Sequence, residues 1–93
     1  MNKKKLNIAR NKIDKIDNKI FALIKRRTKI VKYMLSLKLY KKQIVDTKRM
    51  NYILKKVKRK SIQNKIDPII TLRIWKSMIS AYINYQKKNF KKK

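Results

Sequence analysis

The chain has 93 residues and a formal net charge of +26, set by 30 Lys and Arg against four Asp, with no Glu, Gly, Cys or His. Disulfides, thiolate chemistry, zinc ligation and ordinary proton shuttling have almost no material here, so an enzyme built on this chain is expected to work by binding and electrostatics. The lack of glycine leaves no chemistry for tight hairpin turns and points to an all-α domain of helices joined by short loops, covering residues 1–93 with basic tails at 1–5 and 91–93.

Residues Met1 to Lys5 read as a basic arm expected to fray. From Leu6 to Lys38 the apolar residues keep the helical period. One seam is Leu6, Ala9, Ile13, Ile16, Ile20, Leu23, Arg27, Ile30, Met34 and Leu37, and the seam beside it adds Arg10, Asp17, Ile24, Val31 and Lys38. This face should be buried, yet Arg10, Arg27 and Lys38 stand where a plain helix would carry leucine. Buried cations are costly unless paired, and the chain has few anions to pair them, so an anionic ligand is the candidate partner.

The helix is expected to run to about Leu39, roughly 50 Å at its rise per residue. The remaining residues of one chain cannot cover a seam that long, and a dimer in which two such helices pair is the economical solution. A hairpin kinked near Lys25–Thr28 is the alternative. Arg10 and Arg27 lie about 25 Å apart along one helix, too far for one ligand to touch both. In an antiparallel pair, Arg10 of one subunit approaches Arg27 of the other. The blander reading leaves Arg10 exposed near a fraying end and Lys38 snorkelling at the other.

Tyr40 to Val45 lacks periodicity and reads as a loop. Asp46 is the expected N-cap of a second helix carried by Met50, Ile53, Leu54 and Val57 and ending near Ser61. Asp67-Pro68 is a start signal for a third helix, which is expected to run from Pro68 to about Phe90 with Leu72, Trp75, Ile79, Tyr82, Gln86 and Phe90 on one stripe. The order is long, short, long. Gln86 is an uncharged amide in that stripe, Asp46 with Arg49 is a cap pair or a ligand arm, and Trp75, Tyr82 and Phe90 read as core. The Lys91–Lys93 tail is expected to be disordered.

The charge suggests nucleic acid or an anionic surface before anything else. Its composition argues otherwise. The cations are mostly Lys beside abundant Ile and Asn, the pattern of AT-rich coding, whereas the six Arg are the residues suited to gripping carboxylates or phosphates. No apolar leader follows the basic start and no run approaches the ~18 apolar residues of a membrane span, so a soluble cytoplasmic protein without specific nucleic-acid or membrane partners is expected.

Arg10, Arg27 within Lys25-Arg26-Arg27-Thr28, Lys38, Asp46-Thr47-Lys48-Arg49 and Gln86 follow one another in a pattern that resembles the all-helical chorismate mutase family. Ile13-Asp14-Lys15-Ile16-Asp17-Asn18-Lys19-Ile20 is similar to that family's opening I-D-x-I-D-x-x-I, and the likeness extends from Leu6 to Phe90. The resemblance implies an intertwined helical homodimer with active sites shared between subunits and a small dianionic substrate. In it Arg27, with Arg10 of the partner, clamps the substrate carboxylates. Lys38 and Gln86 donate to the ether oxygen of the breaking bond, Lys38 also reaches a carboxylate, and Asp46 and Arg49 line the second-helix wall. Catalysis is then expected from Lys38, Gln86 and Arg27, and substrate binding from Arg10, Arg27, Lys38, Asp46, Arg49 and Gln86.

The implied reaction is the pericyclic rearrangement of chorismate to prephenate in aromatic amino-acid biosynthesis, which needs no metal and no cofactor. Two positions depart from the pattern. Met50 stands where these mutases usually place Glu for the substrate hydroxyl, and Tyr82 where a small hydroxyl residue is common. Both look more like the isochorismate pyruvate lyase branch, which shares the Arg–Arg–Lys–Gln set and forms salicylate. A basic helical nucleic-acid-binding protein is the alternative of another class.

Overall fold

The computed structural model describes residues 2–91. Three helices appear in the expected order: α1, Lys3–Leu37; α2, Thr47–Gln63; and α3, Pro68–Asn89, with a 3-10 turn at Lys41–Ile44 between the first two. No strand occurs among the described residues, so the chain is all-α. It divides into two compact units, one ending at Tyr33 and one beginning at Met34.

The first unit carries α1 as far as Tyr33, and the last turn of the helix belongs to the second. Asn2 caps it: its side-chain oxygen accepts from Lys5 N at 3.0 Å, which is why Lys3–Lys5 are helical where a frayed arm was expected. Met1 lies outside the described residues. The helix is unbroken through Lys25–Thr28, so the kinked hairpin does not form. The apolar seam is present but not buried in the single chain, with Ile16 54%, Ile20 48% and Leu23 57% exposed. No residue of α1 is buried, and the expectation of a covered face fails for one chain by itself.

The second unit packs α2 on α3, with the 3-10 turn also against α3. Asp46 caps α2 by accepting from Arg49 N at 3.0 Å, and Asp67 caps α3 by accepting from Ile69 N at 2.9 Å with Pro68 at the first turn. Ile44 is 4% exposed, so the segment expected to be a plain loop contains a helical turn that drives one side chain into the core. Val57 of α2 is also buried. Trp75, Tyr82 and Phe90 are half-buried.

Ser61, 3% exposed, binds Val57 O through its hydroxyl and also meets the hydroxyl of Thr71, joining α2 to α3 by a polar contact in the packed interface. The turn between these helices closes as a Schellman motif: Ile66 N donates to Ser61 O at 2.9 Å and Lys65 N to Ile62 O at 3.2 Å. Lys65 takes the left-handed position, φ 57°, where a helix end usually carries glycine. Past α3, Lys91 is non-helical, and Lys92 and Lys93 of the expected disordered tail lie outside the described residues.

Candidate functional site

Lys38 is not a seam residue of α1. The helix stops at Leu37, and Lys38 N closes a tighter bond to Leu35 O at 3.1 Å. The stop has a cause in the sequence. The next two backbone donors, Leu39 N and Tyr40 N, are taken by Gln43 Oε1 at 2.7 and 2.8 Å and so do not continue the helical ladder. Lys38 thus stands on irregular backbone, half-buried, within the second unit.

Its ammonium donates to Gln86 Oε1 at 2.6 Å, across 48 residues of sequence. Gln86 is 7% exposed and is the buried residue of α3. An ammonium only donates, so the amide must turn its oxygen to Lys38 and its nitrogen away. That nitrogen donates to Tyr82 O, one turn back, at 3.2 Å. The amide is therefore held at both ends. Lys38 carries three N–H donors and Gln86 two, and these contacts engage one of each. A cation and an oriented amide side by side form a donor pair suited to an oxygen that gains negative charge.

Beside Lys38 lies an open groove of about 560 Å³ lined by Lys38, Gln43, Val45, Asp46, Thr47 and Lys48. Asp46 reaches this wall but spends one oxygen on its capping bond to Arg49 N. The Arg49 guanidinium stands 5.2 Å from the centre of the Tyr52 ring, so its charge is engaged along α2 itself. Met50 lines a second, mostly apolar groove of about 340 Å³ with Leu54, Ile79, Ile83, Lys76 and Ser80, between α2 and α3.

On α1, Arg10 is exposed and Arg27 is half-buried. Of the six residues singled out in the sequence, the second unit thus brings Lys38 and Gln86 into direct contact and puts Asp46 in the groove beside Lys38. Gln43 was missed. Its signal is the capping-box spacing, a Gln three residues after the N-cap Tyr40, legible only once a helical turn is known to begin there. Among the described residues no cluster of His, Cys, Asp or Glu could hold a metal ion, and no helix is long and apolar enough to cross a membrane.

A family model described as chorismate mutase type II matches residues 9–87, a span that contains Arg10, Arg27, Lys38, Asp46, Arg49 and Gln86. No curated protein and no solved structure matched the chain.

Proposed function

Because the chain belongs to the chorismate mutase type II family, we propose that it is a cytoplasmic, homodimeric chorismate mutase converting chorismate to prephenate. The observation that carries this reading is the Lys38–Gln86 pair, a charged donor locked at 2.6 Å to an amide whose other end is also pinned. The rearrangement breaks an ether C–O bond as a C–C bond forms in one cyclic step. It transfers no proton to or from the protein and needs no nucleophile, metal or cofactor. What the protein supplies is a compact conformer of the substrate and stabilisation of negative charge on the ether oxygen. Lys38 and Gln86 are the proposed donors to that oxygen, each with hydrogen-bonding capacity beyond the bond they share.

The family resemblance adds the carboxylate clamp. Arg27 is proposed to grip a substrate carboxylate, with Arg10 contributed by the second subunit and with Asp46 and Arg49 on the α2 wall. The homodimer is supported by α1 itself: Ile16, Ile20, Leu23, Ile30 and Leu37 repeat at helical spacing and all are exposed in the single chain. Pairing two such helices removes this apolar stripe from water and makes Arg10 and Arg27 parts of a shared pocket.

Met50 favours a second reading. Its groove with Leu54, Ile79 and Ile83 is apolar where a mutase would place a carboxylate for the substrate hydroxyl, and this suits isochorismate pyruvate lyase on the same scaffold. Assaying the purified chain separately with chorismate and isochorismate decides. Prephenate without salicylate is the expected result. Salicylate with pyruvate from isochorismate would assign the lyase, and turnover of neither would sink both. A nucleic-acid-binding role instead predicts salt-sensitive affinity for DNA or RNA that survives Arg27→Ala.

A further inference from the structure

Lys38 is the one proposed catalytic group carried by backbone outside any helix: α1 has ended at Leu37 and the 3-10 turn begins at Lys41. Its long side chain has four flexible carbons, so the position of its ammonium depends on how firmly that short segment is held. Two side chains hold it. Ile44, 4% exposed, anchors the far end of the turn in the core. At the near end, Gln43 Oε1 accepts from Leu39 N and Tyr40 N while Gln43 N donates to Tyr40 O at 3.0 Å, a reciprocal clasp around the two residues that follow Lys38.

The clasp replaces a competing structure. Without the amide oxygen, Leu39 N and Tyr40 N regain the option of bonding back to Leu35 and Ser36 and extending α1. Tyr40 now has extended backbone, φ −129° and ψ 142°, which a continued helix would not allow. Extension would bring Leu39 N onto Leu35 O, the acceptor that Lys38 N now uses, and return Lys38 N to Met34 O, changing the backbone that carries the Lys38 side chain. Gln43 also lines the groove that contains Lys38 and Asp46, so the clasp and the groove wall are one feature.

We infer that Gln43 is a positioning residue whose side-chain oxygen ends α1 at Leu37 and thereby holds the Lys38 ammonium on Gln86. It touches no reacting atom. Its kinetic consequence rests on the chorismate mutase reading, but its structural consequence does not.

The test uses the full-length chain labelled with nitrogen-15, with Gln43→Ala, Gln43→Glu, Lys38→Ala and, as a control within the same turn, Lys41→Ala. Gln43 is exposed, so truncation leaves the core intact. In Gln43→Ala the Gln86 side-chain amide signals should move from their wild-type positions toward those seen in Lys38→Ala, and the Leu39 and Tyr40 amides should exchange faster with solvent. Gln43→Glu keeps an acceptor oxygen and should retain the wild-type values of both, as should Lys41→Ala. Turnover of chorismate by Gln43→Ala should fall about 10- to 100-fold in kcat, the loss expected when a catalytic group is displaced by about 1 Å.

Unchanged Gln86 signals in Gln43→Ala would overturn the inference whatever the turnover. Shifted signals with kcat within twofold of wild type would overturn its catalytic part. A wild-type chain that turns over neither chorismate nor isochorismate defeats the proposed function, while the Gln86 signals still decide the role of Gln43.

Discussion

Replacing Gln86 by Glu separates stability from catalysis at the centre of the site. The two side chains have nearly the same shape, and the change places a carboxylate where the amide oxygen now accepts from Lys38 at 2.6 Å. A hydrogen bond with a charged partner contributes about 1.5–3 kcal/mol, and the existing bond already has one, so folding should change little. Tyr82 O loses the donation it receives from the amide nitrogen. Catalysis should respond far more. The ionised carboxylate offers no donor to the ether oxygen and opposes the charge developing there. Loss of one such donor costs about 10²–10³ in kcat, roughly 2.7–4 kcal/mol. The sign of the pH dependence follows. The carboxyl regains an O–H only when protonated, so activity should climb as pH falls through its titration, which Lys38 pushes downward and burial pushes upward. Measuring kcat from about pH 4 to 8 beside thermal unfolding tests this. A variant that keeps wild-type kcat at neutral pH, or whose activity is lost without any recovery in acid while the fold persists, would refute the reasoning.

Three further substitutions probe the scaffold. Asp46→Ala removes the N-cap bond to Arg49 N and should destabilise the fold by about 1 kcal/mol in urea titration; no change would mean that the cap is dispensable. Lys65→Gly relieves a left-handed non-glycine residue and should stabilise by about 0.5–1 kcal/mol, read as a Tm rise of a few degrees, whereas a fall would show that the Lys65 side chain matters more than its backbone. Ile20→Asp puts a charge in the exposed stripe of α1 and should shift sedimentation from dimer to monomer; an unchanged dimer would place the subunit contact elsewhere.

The helices were legible because their signals are local. Asp46 and the Asp67-Pro68 pair cap α2 and α3 at the residues where the side chains announce a start, and the period of three and four in α1 survives a high density of lysine. What was not legible depends on distant or non-periodic contacts. Four residues are too few for a period, so the turn at Lys41–Ile44 reads as loop in the sequence, and the burial of Ile44 depends on α3 arriving beside it. The Schellman end of α2 was hidden because Lys65 occupies the place where glycine would have marked it. Ser61 and Thr71 carry no pattern of their own, and their hydroxyl contact exists only once α2 and α3 pack. For the site, the periodicity put Lys38 at the end of a seam and Gln86 in a stripe. Only the family resemblance paired them, and the fold supplies the bond between them together with Gln43, the residue that shapes the segment carrying Lys38.

The proposed active site is assembled from two copies of the chain, with Lys38 and Gln86 from one and Arg10 from the other. Mixing Arg10→Ala protein with Lys38→Ala protein tests it most directly. Each variant alone should be nearly inactive. After unfolding and refolding together, random pairing yields mixed dimers with one intact site, and chorismate turnover should return to roughly a quarter of the wild-type level per chain. A mixture no more active than its separate components, in dimers shown to have exchanged subunits, would contradict a shared site.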